Sequence, residues 1–135
     1  MKALIIHGPN MNLLGHFSQN RLTLDKLNRS IRKIGLAKNI ECKIFQTHDE
    51  AKVVTLLQRN RNKIDFIVLN LGAWHPCGYI IKDTLSLIKK PYRIVENSKQ
   101  SEEYINNTIF DKKYIIQNKS IEKSYTESLN QLTKS

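Results

Sequence analysis

A regular alternation of short apolar runs and amphipathic segments constrains this chain most. Residues 64–70 form a nearly continuous apolar run, which is typical of a central strand covered on both faces. Between residues 22 and 36, apolar side chains recur at helical spacing, and Thr23 is placed to cap that helix. Strands that alternate with helices over short loops favour right-handed crossovers, so the chain is predicted to form a parallel sheet.

The full pattern predicts a flavodoxin-like α/β fold, a doubly wound parallel five-stranded sheet with helices on both faces. A chain of 135 residues is long enough for one core and too short for two, so we expect one domain over residues 1–135. The predicted strands are residues 2–6, 40–46, 64–70, 92–95 and 114–117, and the predicted helices are residues 22–36, 50–60, 78–88 and 120–132.

Composition and charge limit the class of protein. No apolar stretch reaches the roughly 20 residues that span a bilayer, and the apolar run after Met1-Lys2 is too short for a signal peptide, so we expect a cytoplasmic protein. Cys42 and Cys77 lack metal-ligand spacing and are expected to be reduced thiols. The formal net charge of +10 is dispersed along the chain, which favours a solvated basic surface over a nucleic-acid site.

Three polar patches follow predicted strands, at the edge where parallel sheets collect ligands. The first patch, residues 7–15, reads His-Gly-Pro-Asn-Met-Asn-Leu-Leu-Gly. The second patch joins Phe45-Gln46-Thr47 to Glu50, and the third runs from Leu69 to Trp74 and precedes Lys82-Asp83-Thr84-Leu85.

In order and spacing, these patches resemble the type II 3-dehydroquinate dehydratases over nearly the whole chain. The first patch is similar to that family's opening signature, in which an Asn stands where this chain has His7. The third is similar to the family's Asn-Pro-Gly-Ala-Tyr and Arg-Asp-Ala-Leu. The resemblance implies homo-oligomers, trimers or dodecamers, in which the residue that matches Asp83 reaches a neighbour's site. Read alone, Asp83 is an exposed helical acid paired with a nearby Lys.

The residues that do this family's chemistry differ here. The family uses an Arg-activated Tyr to remove a proton beside a ketone and a His to protonate the departing hydroxyl. By resemblance, the Arg position holds Phe17, and residues 16–22 contain no Tyr. The acid's position holds Glu96, and the residue that orients it matches Ile94. The resemblance therefore implies that the standard base and acid are lost.

Other residues remain as candidates. All four histidines, His7, His16, His48 and His75, lie at or just past predicted strand ends and would ring one edge of the sheet. A neutral imidazole, with a pKa near about 6.5, is a usable base, but these histidines also suit hydrogen-bonded turns or packing beside Trp74. The candidate catalytic residues are Asn70, Glu96, His7 and His75. The candidate ligand-binding residues are Asn10, Asn12, Gly72, Ala73, Trp74, Ser98 and Asp83.

Three functions stay open. The leading one is a small-molecule-binding pseudoenzyme, or an enzyme of altered acid–base chemistry, acting on a small cyclic and anionic ligand. The second is an active dehydratase with rearranged catalytic groups that converts 3-dehydroquinate to 3-dehydroshikimate in the shikimate pathway. The third is a basic assembly or nucleic-acid-binding module. We expect no metal, no cofactor and no membrane partner.

Overall fold

A parallel sheet of five strands, in the order β2-β1-β3-β4-β5, organises the computed structural model, which describes residues 1–16, 22–97 and 102–134. All four neighbouring pairs are parallel. The predicted flavodoxin-like α/β fold is therefore confirmed. The strands are β1 (Lys2–His7), β2 (Glu41–Gln46), β3 (Phe66–Asn70), β4 (Tyr92–Asn97) and β5 (Ile115–Asn118).

Helices cover both faces of this sheet. They are α1 (Leu24–Ala37), α2 (Glu50–Asn60), α3 (Tyr79–Ile88), α4 (Glu102–Asn106) and α5 (Ile121–Thr133). Thr23 caps α1 as predicted, since its hydroxyl accepts a hydrogen bond from the Lys26 amide at 3.3 Å. Asp49 caps α2 in the same way, accepting from the Ala51 amide at 2.9 Å.

Besides shifts of one or two residues at the ends of other elements, two differences from the prediction stand out. Strand β4 continues past Val95 to Asn97, because Glu96 and Asn97 remain paired with Gln117 and Asn118 of β5. Helix α4 was not predicted, since a segment this short shows no helical period. The first difference matters for the site, because Glu96 lies in the part of β4 beyond the predicted end.

The period of two along each strand divides the core into two layers. Ala3 and Ile5 of β1 face the layer that holds α1 and α5, where Tyr125 and Leu129 are buried. Leu4 and Ile6 of the same strand face the layer that holds α2 and α3. Strands buried on both sides explain why the sequence of β3 is apolar throughout.

The carboxyl ends of the first three strands meet at one edge of the sheet. His7 lies in register with Gln46 on one side and with Asn70 on the other. The turn that follows is tight, because a Cβ atom on Gly8 would lie 2.4 Å from the carbonyl oxygen of Asn70. Gly8 is therefore required where the chain leaves β1 and passes over β3.

Within residues 1–16, 22–97 and 102–134, no helix combines the length and the apolar character needed to cross a membrane.

Candidate functional site

Glu96, near the end of β4, is the centre of a buried polar cluster. Glu96 is only 1% exposed. Its Oε1 accepts hydrogen bonds from the backbone amides of Leu71 at 3.1 Å and Gly72 at 3.0 Å. Gly72 has a φ of 52°, and this left-handed conformation lets two successive N–H groups point at one oxygen. The segment after β3 therefore forms a backbone anion nest, which the Glu96 carboxylate fills.

His75 supplies a third donor to the same oxygen. Its Nε2 lies 2.9 Å from Glu96 Oε1, and its Nδ1 lies 2.7 Å from the Thr108 hydroxyl. Because a carboxylate only accepts, Nε2 carries the proton that faces Glu96, and in a neutral ring Nδ1 accepts from Thr108. Thr108 Oγ1 in turn accepts from the Phe110 amide at 3.1 Å. Both ring nitrogens of this fully buried histidine are thus engaged.

Asn70, the last residue of β3, completes the cluster. Its Nδ2 donates to the Val95 carbonyl at 3.1 Å and to Glu96 Oε2 at 3.3 Å. Both partners are acceptors, so they fix which end of the amide carries the NH2 group. Asn70 and His75, two of the predicted catalytic residues, are therefore each within hydrogen-bond reach of a third, Glu96.

His7, the fourth predicted catalytic residue, belongs to a different network. Its Nε2 lies 2.8 Å from Asn28 Oδ1 on α1, and its Nδ1 lies 2.8 Å from the Tyr125 hydroxyl on α5. Burial lowers the pKa of His7 to about 4, against a smaller opposing effect of the Asn28 hydrogen bond, so the ring is neutral near pH 7. Burial and the charge of Glu96 raise the pKa of Tyr125 well above its ordinary value, so its phenol donates to His7.

The predicted ring of histidines does not form around one point. His7 hydrogen-bonds Asn28 and Tyr125, whereas His75 hydrogen-bonds Thr108 and Glu96. His16 and His48 are exposed, and His48 Nδ1 accepts from the Asn10 amide at 3.3 Å. Of these four histidines, His75 contacts Glu96, whereas His7 lies on the opposite face of the sheet.

The predicted ligand-binding residues occupy varied positions. Asn10, Asn12 and Ala73 are exposed on the turns after β1 and β3. Trp74 is only 8% exposed and is part of the core, where its ring packs near Gly8; this arrangement favours a packing role. Ser98 lies outside the described residues.

Asp83 is exposed on α3, as both interpretations of this residue required. The neighbouring Lys82 does not pair with it, because its Nζ donates to the Ile109 carbonyl at 2.7 Å. In the part of the chain that the structure describes, Asp83 forms no ion pair. The described structure therefore does not contain the predicted pairing of Asp83 with a nearby lysine.

Sequence reasoning missed Thr108, Asn28 and the role of Tyr125. Thr108 lies in an irregular segment that carries no periodic signal, so nothing linked it to His75. Tyr125 had a usable signal, since a tyrosine on the apolar face of a helix needs a partner for its hydroxyl when it is buried. Across the described ranges, no three His, Cys, Asp or Glu side chains come together as metal ligands would.

A family model described as Dehydroquinase class II matches residues 1–132. The chain belongs to the class II dehydroquinase family. Among curated class II dehydroquinase relatives, the 3-dehydroquinate dehydratase of Thermotoga neapolitana is 34% identical over 94 residues, covering 67% of this chain and 63% of the relative. That of Geotalea daltonii is 33% identical over 94 residues, covering 67% and 65%. This chain spans a little under two thirds of the length of these curated relatives.

Solved class II dehydroquinase structures share the whole fold. The type II dehydroquinase of Butyrivibrio crossotus superposes with a TM-score of 0.84 and 25% identity, covering 98% of this chain and 97% of that one. The type II dehydroquinase of Propionibacterium acnes has a TM-score of 0.84 at 22% identity, covering 99% and 98%, and supports the fold alone. The sheet edge that carries Asn70 and Glu96 is therefore set in a class II dehydroquinase scaffold.

Proposed function

We propose that this class II dehydroquinase homologue binds a small cyclic, anionic molecule at the ends of β1, β3 and β4, and that it lacks the family's standard base and acid. The observation that carries the proposal is the set of hydrogen bonds around Glu96, the residue that occupies the position of the family's acid in the resemblance. Four donors, from Asn70, Leu71, Gly72 and His75, reach its carboxylate. A carboxylate held this way acts as a fixed acceptor and is poorly suited to pass a proton to a leaving hydroxyl.

The environments of two tyrosines, the buried Tyr125 and the half-buried Tyr92, support the same proposal. A phenol serves as a base near neutral pH only where its pKa is lowered. Burial instead raises the pKa of Tyr125 well above its ordinary value, and burial together with nearby Tyr114 and Asp111 raises the pKa of Tyr92 to about 12. Neither Tyr125 nor Tyr92 is therefore suited to replace the activated tyrosine of the family. By resemblance, that tyrosine would lie in residues 16–22.

An altered acid–base reaction is the second form of this proposal. It depends on the chain of hydrogen bonds from Thr108 through His75 to Glu96, because a histidine next to a carboxylate is a common proton-transfer pair. In this form the pair acts on a ligand bound above Asn70. A loss of activity in His75→Gln, with ligand binding retained, is the result that this form requires.

An active 3-dehydroquinate dehydratase is the second candidate function. It is favoured by the curated relatives, which are described as 3-dehydroquinate dehydratases. Asn70 and Gly72, which the resemblance assigns to the pocket, also lie at the edge where such a substrate would bind. In this case other groups of the chain carry the conversion of 3-dehydroquinate to 3-dehydroshikimate in the shikimate pathway.

One experiment separates the two candidates. The purified protein is mixed with 3-dehydroquinate, the ultraviolet absorbance of the conjugated product is followed, and the heat of binding is measured by calorimetry. The proposal expects saturable binding without the standard turnover. Turnover at a rate ordinary for a metabolic enzyme contradicts the proposal and establishes the dehydratase. Asn62→Ala, which changes an exposed residue far from this sheet edge, is the matched control.

Assembly and location belong to the same proposal. Helix α3 exposes Tyr79 at 64%, Ile80 at 51% and Leu87 at 72% around Asp83, and apolar side chains gathered on one helix favour an interface between copies of this chain. Light scattering is expected to give a trimer or a dodecamer, and Ile80→Asp is expected to yield smaller species.

We place the protein in the cytoplasm, which cell fractionation tests. Retention on nucleic acid that falls steeply with salt would instead support the basic binding module.

A further inference from the structure

We infer that Glu96 fixes the side chain of Asn70 as a hydrogen-bond acceptor, so that the site selects a ring hydroxyl over a ring ketone at this position. The inference rests on the proposed function, since it describes the ligand of the same site. It concerns this chain's own residues, because the group that holds Asn70 is the Glu96 carboxylate.

The first step of the argument concerns the two hydrogens of the Asn70 amide. One is donated to the Val95 carbonyl and the other to Glu96 Oε2. Neither partner can donate in return, so a flipped amide would place oxygen against oxygen on both sides. The NH2 group is therefore committed to the protein and is not available to a ligand.

The second step concerns the opposite end of the amide. Within the described residues, no donor reaches Asn70 Oδ1, and this oxygen is not among the buried polar atoms that are shut off from solvent without a partner. Asn70 keeps 5% of its surface exposed. The amide thus presents an acceptor at the ligand-binding edge of the sheet.

The third step explains why the acceptor is fixed. Glu96 Oε1 is held by the Leu71 and Gly72 amides and by His75 Nε2, so the carboxylate cannot turn without breaking these three bonds. Oε2 consequently stays in place for Asn70. The orientation of Asn70 is set by the whole cluster and not by its own rotamer preference.

An acceptor of this kind discriminates between two oxidation states of a ligand. A hydroxyl group can donate to Asn70 Oδ1, whereas a ketone oxygen placed there leaves two acceptors face to face. One hydrogen bond made or missed in a partly buried site changes affinity by about tenfold. We therefore expect a cyclic hydroxy acid to bind better than the matching keto acid.

The test compares quinate with 3-dehydroquinate, which carry the same carboxylate and differ by a hydroxyl or a ketone at one ring carbon. Calorimetry on the full chain is expected to show quinate binding about tenfold more tightly. In Glu96→Gln, the new amide NH2 faces Asn70 and removes the constraint, so the preference is expected to disappear. Asn62→Ala is expected to keep it.

A second measurement does not depend on ligand binding. Nitrogen-15 NMR of the Asn70 side chain is expected to show two amide protons that exchange slowly with solvent, and faster exchange in Glu96→Gln. Equal affinities, or tighter binding of the ketone, overturn the inference while the proposed binding function stands. If neither probe binds, the proposed function fails, and fast exchange of either Asn70 proton in the unchanged protein overturns the inference separately.

Discussion

His7 and His75 are both fully buried at the same edge of the sheet, but their surroundings differ. His7 lies between two uncharged groups, the Asn28 amide and the Tyr125 phenol, which come from two helices on one face. His75 lies between the Thr108 hydroxyl and the Glu96 carboxylate. The hydrogen-bond partners of a buried histidine therefore decide its role, and its position at a strand end does not. His7 links two helices, whereas His75 holds Glu96 at the candidate site.

The largest effect is expected from removing the centre of the His75 network. Glu96→Ala leaves the Leu71 and Gly72 amides and His75 Nε2 without their acceptor in a dry environment. We expect the free energy of unfolding to fall by about 3–5 kcal/mol, measured by urea denaturation. Glu41→Ala, at an exposed position on β2, is the control and is expected to stay within about 0.5 kcal/mol. A loss no larger than that of the control would show that the cluster contributes little to stability.

The next effect sharpens the comparison through pH. The pKa of His7 is lowered from 6.5 to about 4 in the folded protein, so the unfolded chain binds more protons between these values. Stability from this group is complete above pH 6.5 and is lost as the pH falls towards 4, by about 3 kcal/mol in all. Denaturation at pH 7 and pH 4 measures the loss.

His7→Gln tests the assignment of that loss to one residue. The variant cannot take up the proton, so its stability is expected to fall less between pH 7 and pH 4 than that of the unchanged protein. His75→Gln is the matched comparison and is expected to retain the contribution of His7. An equal decline in the His7 variant and the unchanged protein would contradict the role of His7.

A smaller effect is expected where the two networks meet. Gly8→Ala places a Cβ atom 2.4 Å from the Asn70 carbonyl oxygen, and that oxygen belongs to backbone that cannot easily move. We expect a loss of about 1–3 kcal/mol, seen as a lower melting temperature. In Gly72→Ala the Cβ atom would make an ordinary contact, 3.9 Å from the Pro9 carbonyl oxygen, but φ is 52°, so we expect a cost of about 1 kcal/mol. A larger loss in Gly72→Ala than in Gly8→Ala would mean that the turn after β1 adapts to a Cβ atom more easily than the anion nest after β3.

The smallest effect concerns a single hydroxyl. Tyr125→Phe keeps the packing of the ring and removes the donor to His7 Nδ1, so we expect a loss of about 1 kcal/mol. Chemical denaturation measures it, with Tyr104→Phe at an exposed position of α4 as the control. An unchanged stability would indicate that His7 finds another partner.

The fold could be predicted because its signals are local and periodic. The apolar run of β3, the spacing along α1 and the Thr23 cap each follow from a few neighbouring residues. The extension of β4 could not be predicted in this way, since it depends on the pairing of Glu96 with Gln117 in another strand. The extent of a strand is set partly by its neighbour.

The site could be predicted only in part. Asn70, Glu96 and His75 follow from the position of strand ends, but their contact depends on the left-handed turn at Gly72 and on Thr108, which is 33 residues from His75 in the chain. Strand parity separates His7 from Glu96, because His7 shares the face of Ala3 and Ile5, packed against α1 and α5, whereas Glu96 shares the opposite face with Ile94. A prediction that placed all histidines at one edge did not include the direction of each side chain.

The nest around Glu96 limits which side chains position 96 can accept. Three N–H groups, from Leu71, Gly72 and His75, require a hydrogen-bond acceptor at position 96. An imidazole there would bring a further N–H group towards three that already need an acceptor, so replacing Glu96 by histidine alone is opposed by its surroundings. A proton donor at position 96 would therefore require matched changes in the segment after β3 and in β4, so this position resists change on its own.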